Sequence, residues 1–338
     1  MADALKPTPE QEESRLNQRT SALDWFMNPA PRSRCSPSLE TSDDKRIDEM
    51  KAMLRSRPVS TESRFIKGSD APKPVALNQK KWAEFPLEQR IDINHNTRRL
   101  RFRLPVEDLG LPVGMHIFLK GKVDGKPVMR AYTPVAVGPY YVDFVIKVYF
   151  PLPPKFPDGG VLTQHFETLK VGDTIDFKGP LGEFDFDCAV KPGALRDTIS
   201  TFKTNGAHGG NFKHLGMIAG GSGITPVLQV ATALLLLDRD FTVSILYANQ
   251  SPEDILCQEE LDAVAKDPRV KVWYTVDRAP EGWKYSTGFI SEDMIRDHLP
   301  AASEHTYTFM CGPPPMLKFA CRPNLDKLGH AEDHVLAF

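Results

Sequence analysis

The feature that most constrains this chain is a change of period near residue 214. Before it, apolar and polar residues alternate; after it, short apolar runs alternate with longer helical ones. From about Trp82 to Gly182 the runs LRFRLP, HIFLKGKV and VDFVIKVYF have the period of two that marks half-buried strands. In the last, Val142, Phe144, Ile146 and Val148 take one face, and Asp143, Lys147 and Tyr149 the other. Turn residues such as Val123-Asp124-Gly125-Lys126 and Val137-Gly138-Pro139 punctuate these runs, so an antiparallel barrel is expected. From His214, LGMIAGG, TVSILYANQ, VKVWYTVD and TYTFMCG read as strands. The helices between and after them are TPVLQVATALLLLD, CQEELDAVAKD, SEDMIRDHL and PPMLKFACRPNLDKLG. Such a series builds a parallel sheet covered by helices.

Domain boundaries follow. Residues 1–76 read as a disordered tail or linker, rich in proline, serine and charge, with two short helical pieces at Ser21–Met27 and Arg46–Leu54. Within it, Trp25, Phe26 and Met27 are the one candidate anchor for a partner. A barrel domain is expected over 77–187, a linker loop over 188–213 and an α/β domain over 214–338.

Composition closes off several functions. The 42 basic and 44 acidic residues give a net charge of −2, which argues against a nucleic-acid binder. Cysteines 35, 188, 257, 311 and 321 form neither a CxxC pair nor a zinc spacing, and no metal site is expected. Their scatter fits a reducing, cytoplasmic compartment. No segment reaches the ~20 apolar residues of a membrane span. The N-terminus is too polar for a signal peptide, and Ala2 excludes myristoylation.

Four segments carry chemistry. Gly220-Gly221-Ser222-Gly223-Ile224-Thr225-Pro226 follows a buried strand and opens a helix. There, glycines allow backbone to approach a diphosphate and helix N–H groups stabilise its charge. Thr225 is placed to cap that helix and Pro226 to fit its first turn. Cys311-Gly312-Pro313-Pro314-Pro315-Met316 ends the last of the four strands, where ligands lie in open α/β sheets. Arg130-Ala131-Tyr132-Thr133-Pro134 offers a guanidinium for phosphate, a ring for stacking and a hydroxyl. Pro157-Asp158-Gly159-Gly160 leads into Thr163 as a second helix start facing a diphosphate, and Gly179-Pro180-Leu181-Gly182 reads as a turn. His116, in GMHIFL, reads as a structural strand histidine or a proton relay.

RAYTP, VIKVYF, FPDGG, GPLG, GGSGITP, YANQSPEDIL, WYTVDRAPEGW and CGPPPM occur together in that order. The set resembles the NADH–cytochrome b5 reductase family of the ferredoxin–NADP reductase superfamily, over about Trp82 to Phe338. Within it, GPLGEF and EGWKYSTGFISEDMI are most similar to the C-terminal module of eukaryotic assimilatory nitrate reductase. The resemblance implies a six-stranded antiparallel FAD-binding barrel followed by a Rossmann-like NAD-binding domain. It implies hydride transfer from NADH to FAD, then single electrons to a b-type cytochrome or haem domain as partner. The alternative is a free-standing cytochrome b5 reductase.

Carried over by position, the resemblance puts Arg130 on the FAD diphosphate, Tyr132 on the flavin and Thr133 beside its reactive nitrogen. Lys147 and Tyr149 would line the flavin and nicotinamide site, and Gly160, Leu162 and Thr163 the FAD diphosphate. Gly221, Gly223 and Thr225 would hold both cofactors. Cys311, with Gly312, Pro313 and Met316 beside it, would position nicotinamide. Asp277 would bind the adenosine ribose, and Phe338 would lie near the flavin. Thr133, Lys147 and Cys311 are the residues assigned to the chemistry itself. One departure stands out: Phe150-Pro151-Leu152-Pro153-Pro154 is shorter and richer in proline than the family's loop. A binding protein on a decayed scaffold would show lesions, yet both glycine loops, Arg130 and Cys311 are present. An oxygenase reductase would bring the clustered cysteines of an iron–sulfur domain, which this chain lacks.

Overall fold

In the computed structural model, residues 74–154, 156–186, 200–204, 207–235 and 240–338 are described. Of the tail read over 1–76, residues 1–73, with the two helical pieces and the Trp25 anchor, lie outside them; its end is corrected, because Val75 bridges Asp108 and the Ala76 N–H donates to the Asp108 carbonyl at 2.9 Å.

The first half is a curled antiparallel sheet. Its strands are β1 (Ala83–Asn94), β2 (Thr97–Arg103), β3 (His116–Val123), β4 (Lys126–Tyr132), β5 (Ala136–Gly138), β6 (Tyr141–Lys147) and β7 (Thr174–Leu181). Helix α1 (Val161–Thr168) lies between β6 and β7 in sequence. The strand order is β4-β3-β7-β1-β2-β6-β5, seven rather than the six expected; β5 is three residues long, too short to show a period of its own. The curl depends on β1. Its first part, Ala83–Pro86, pairs with β7, and its second part, from Leu87 onward, pairs with β2. A register shift between Leu87 and Gln89 falls where the strand changes partners. Inside lie Phe85, Leu100, Phe102, Phe144, Phe166 and Phe177, each at most 1% exposed. Edge-to-face contacts of Phe102 and Phe144 with Phe177 at 5.2 and 5.7 Å lock the aromatic centre.

The period-two reading of β6 is half corrected. Val142, Phe144 and Ile146 face the barrel core as expected, but Asp143 on the other face is fully buried. That face is not solvent. Val145 packs into the core of the second domain, and Asp143 accepts hydrogen bonds from Arg101 at 2.7 and 2.9 Å. The polar side of an alternating strand here is a domain interface.

The second half is a parallel sheet whose strands lie in the order Ser286–Thr287, Val270–Val276, Thr242–Asn249, His214–Gly220, Thr306–Cys311, Val335–Ala337. Before it come β8 (Phe184–Phe186), β9 (Ser200–Thr204) and β10 (Ala207–Phe212), a small antiparallel sheet. The parallel strands are β11 (His214–Gly220), β12 (Thr242–Asn249), β13 (Val270–Val276), β14 (Ser286–Thr287), β15 (Thr306–Cys311) and β16 (Val335–Ala337). Helices α2 (Ile224–Leu235), α3 (Gln258–Val264) and α4 (Glu292–His298) fill the connections. After β15, Pro314–Met316, a π-helical turn at Leu317–Cys321 and Arg322–Lys327 form one rod, α5. In this half, the strands and helices read from the sequence are present among the described residues; β14 and β16 were too short to read.

The loop reading of 188–213 is corrected over its described part. Ser200–Thr204 and Ala207–Phe212 form a hairpin, masked in sequence by glycine and polar residues. Phe202 and Phe212 are its buried side chains; with Phe184, Phe186 and Phe309 they form an aromatic cluster within the second domain's core. Among the described residues, no helix is long and apolar enough to cross a membrane.

Candidate active site

The carboxyl ends of β11, β12, β13 and β15 point toward the open side of the barrel. Between them lies a cleft of about 1290 Å³. A single small-molecule site is roughly 300–1,000 Å³, so this one has room for more than one nucleotide-sized ligand. Every residue singled out for cofactor binding or catalysis lines it.

From the barrel come Arg130, Tyr132, Thr133, Lys147 and Tyr149. Arg130, near the end of β4, donates from Nη1 to the Met129 carbonyl at 2.7 Å; among the described residues no carboxylate pairs with it. Its charge is therefore free to meet an anion. Tyr132 rests edge-on against Phe166 at 5.5 Å and Phe144 at 6.5 Å, and burial holds its phenol protonated. The proline-rich loop after Tyr149 closes on itself. Leu152 and Phe156 exchange two backbone hydrogen bonds of 2.8 Å, and Gly160 N–H bonds to the Tyr149 carbonyl at 2.7 Å. The shorter loop thus delivers Gly160 to the start of α1. That helix has no side-chain cap, and the Thr163 hydroxyl is engaged instead with the Gly160 carbonyl at 2.9 Å.

From the second domain come Gly221, Gly223 and Thr225. Gly221 has a φ of +53°, a left-handed conformation that favours glycine. Gly223 lies so close to the Cys311 carbonyl that a Cβ there would collide with backbone. The two loops at the ends of β11 and β15 therefore pack backbone to backbone, as the glycines permit. Thr225 is not the helix cap its position suggests. The helix begins at Ile224, and the Thr225 hydroxyl donates to the Ser222 carbonyl at 3.3 Å. Gly312, Pro313 and Met316 line the same wall, with Met316 against Gly220. Burial pushes the Cys311 thiol up to about 11, so it is neutral at physiological pH. Asp277 lines the cleft, whereas Arg278 is not on its wall. Phe338 packs on Phe184 and Phe309 at 5.7 and 5.4 Å and turns toward the cleft. His116 also lines it, and burial lowers its pKa.

Several participants were not read from sequence. Ser222 Oγ meets the Tyr149 hydroxyl at 3.3 Å across the cleft. Lys147 Nζ donates to Asp254 Oδ1 at 2.7 Å, tying the barrel to the second domain. Burial alone would raise the Asp254 carboxyl, but hydrogen bonds from Lys147 and Ser251 outweigh it and hold the group below its ordinary range. A third tie, Arg99 Nη2 to Glu260 Oε1 at 2.5 Å, is buried between β2 and α3. The two ion pairs join residues over a hundred positions apart, a separation that no local pattern reports. Phe156, Phe289 and Phe319 complete the apolar rim, with Phe289 84% and Phe319 71% exposed.

A cationic arginine without a carboxylate, an uncapped helix start at Gly160 and a glycine turn before α2 form a donor set suited to diphosphates. Apolar and aromatic walls suit flat rings. The residues present fit two dinucleotides meeting at the centre of the cleft.

The comparisons agree. Residues 84–186 match the model of the oxidoreductase FAD-binding domain, and 217–322 that of the oxidoreductase NAD-binding domain. NADH-cytochrome b5 reductase 2 of Xenopus tropicalis is 46% identical over 261 residues, 75% of this chain and 84% of that protein. The chain belongs to the NADH–cytochrome b5 reductase family. It is a flavin oxidoreductase with an FAD-binding and an NAD-binding domain. Nitrate reductase [NADH] of Spinacia oleracea is 48% identical over 267 residues, 75% of this chain but 27% of that protein. The cytochrome b5 reductase domain of Ulva prolifera nitrate reductase superposes with a TM-score of 0.72 at 42% identity, over 78% of this chain and 100% of that one.

Proposed function

We propose that this chain takes electrons from NADH and delivers them singly to a b-type cytochrome, as a cytochrome b5 reductase. Bound FAD supplies the chemistry, accepting a hydride and releasing electrons one at a time. The chain's own residues bind and orient. The observation that carries the reading is that Arg130, the start of α1, the glycine turn before α2, Thr133, Lys147 and Cys311 all line one cleft.

In this reading, Arg130 and the N–H groups after Gly160 hold one diphosphate, and those after Gly221 the other. Tyr132 packs on the flavin, Thr133 sits beside its reactive nitrogen, and Tyr149, Leu162 and Thr163 shape the flavin wall. Thr225 and Phe338 border the ring. Cys311, as a neutral thiol, presses the nicotinamide against the flavin, with Gly312, Pro313 and Met316 behind it. Asp277 receives the adenosine ribose. We favour the free-standing reductase over the nitrate reductase module, because the similarity to the Xenopus NADH-cytochrome b5 reductase 2 extends over 84% of that protein. Three free cysteines among the described residues fit a reducing, cytoplasmic setting.

The test is the holoprotein with NADH and three acceptors: ferricyanide, purified cytochrome b5 and nitrate. Reduction of the first two and none of the third is expected. A folded, FAD-loaded protein that leaves cytochrome b5 oxidised would overturn the proposal, and direct nitrate reduction by this chain alone would overturn it together with the module reading, since an FAD-binding and an NAD-binding domain supply no centre for nitrate.

A further inference from the structure

Lys147 reaches the cleft from the interface face of β6, two residues beyond Val145 and four beyond Asp143. On that face each side chain is engaged by a neighbour: Asp143 by arginines, Val145 by the second domain's core, Lys147 by Asp254. Lys147 lines the cleft and Asp254, which holds its Nζ, does not. Both side chains are largely buried, 13% and 11% exposed. Asp254 is itself held. It ends the short helical turn Pro252–Asp254, where its N–H bonds to the Ser251 carbonyl at 3.1 Å and its Oδ2 accepts from Ser251 Oγ at 2.9 Å. The next residue back, Glu253, accepts at its carbonyl from Asn94 Nδ2 of the barrel at 3.2 Å.

A lysine alone would sweep its four-carbon stem through many rotamers and lose time away from any one place. Tethered at 2.7 Å to a carboxylate whose other oxygen is held by Ser251, it presents one position and one charge to the cleft. We infer that Asp254 is a positioning residue: through Lys147 it sets both where the ammonium meets the nicotinamide side of the cleft and how far apart the two domains stand there. The inference rests on the NADH-to-flavin reading. It assigns Asp254 no contact with either cofactor.

Two measurements on the FAD-loaded protein test it. The first is the rate of flavin reduction by NADH in a single turnover, for native, Asp254→Asn, Asp254→Ala, Lys147→Met and the Asp254→Ala/Lys147→Met double variant. Misplacement by about 1 Å can cost on the order of a hundredfold, so Asp254→Ala should slow reduction at least tenfold at unchanged flavin content. In the Lys147→Met background the same change should cost less than twofold. The second is the rate at which acetic anhydride modifies Lys147, read by peptide mass spectrometry. Asp254→Asn, nearly identical in shape, should raise it severalfold by untethering the amine. Additive losses in the double variant, or an unchanged Lys147 reactivity, overturn the assignment. Absence of flavin reduction in the native protein would instead defeat the underlying reading, so the two failures are distinct.

Discussion

At the residue scale, the cleft is readable because its chemistry demands unusual residues in short runs. Glycine at 221 and 223 and arginine at 130 left local marks; Ser222 and Asp254 did not, since their partners lie far away in sequence. Arg130→Glu should place a carboxylate where a diphosphate must sit and yield a folded, colourless protein, checked by visible absorbance. Gly223→Ala should drive a methyl into the Cys311–Gly312 backbone. The neighbour is main chain and cannot rotate away, so a loss of roughly 1–3 kcal/mol or more is expected in denaturant unfolding. Asp277, on the wall that Arg278 does not reach, should repel a 2′-phosphate. A like-charge juxtaposition costs several kcal/mol. Asp277→Ser should therefore lower the NADH to NADPH ratio of kcat/KM by at least tenfold, and an unchanged ratio would remove Asp277 as the discriminator.

At the element scale, an apolar period marked β2, β3 and β6 of the barrel and the four long strands of the parallel sheet with their helices. It did not mark β1, β4 or β7, whose runs are interrupted by charged residues, and the turn read at Gly179–Gly182 falls on the end of β7, where Leu181 pairs with His116. It failed too for β5, β8, β14 and β16, which are too short, and for the hairpin β9–β10, whose core contribution reduces to Phe202 and Phe212. It misjudged one face of β6, because alternation marks a polar face without saying whether water or another domain covers it. The tie between β2 and α3 shows the consequence. Arg99 and Glu260 are buried together, and burial, opposed by the guanidinium beside it, pushes the Glu260 carboxyl upward. Removing one partner should leave an uncompensated buried charge and cost about 3–5 kcal/mol. Arg99→Met should show this in urea unfolding, and the Arg99→Met/Glu260→Leu pair should regain much of it.

At the scale of the whole molecule, ionisation limits stability from both sides. Burial lowers the pKa of His116, His165 and His330 below the ordinary 6.5. The unfolded chain then takes up protons that the folded one resists, so their contribution is complete above pH 6.5 and is lost as the pH falls below it. The thiols act in the opposite sense. Cys311 is pushed up to about 11 and Cys321 up to about 12 from an ordinary 9.0, so above pH 9 the unfolded chain ionises first and stability falls. Thermal unfolding across roughly pH 5–10 should show a plateau between about 7 and 9 with a decline on each side; a maximum near the acid end would contradict it.

The double pairing of β1 also sets an order of events during synthesis. Phe85 must find Ile175, which leaves the ribosome about ninety residues later. Until Thr174–Leu181 has emerged, one edge of β1 and one edge of β3 stand open, each a template for pairing with other chains. The barrel is thus bound to mature late, through contacts of long sequence separation, and a nascent chain halted before residue 174 should be degraded by protease far faster than one halted after residue 186.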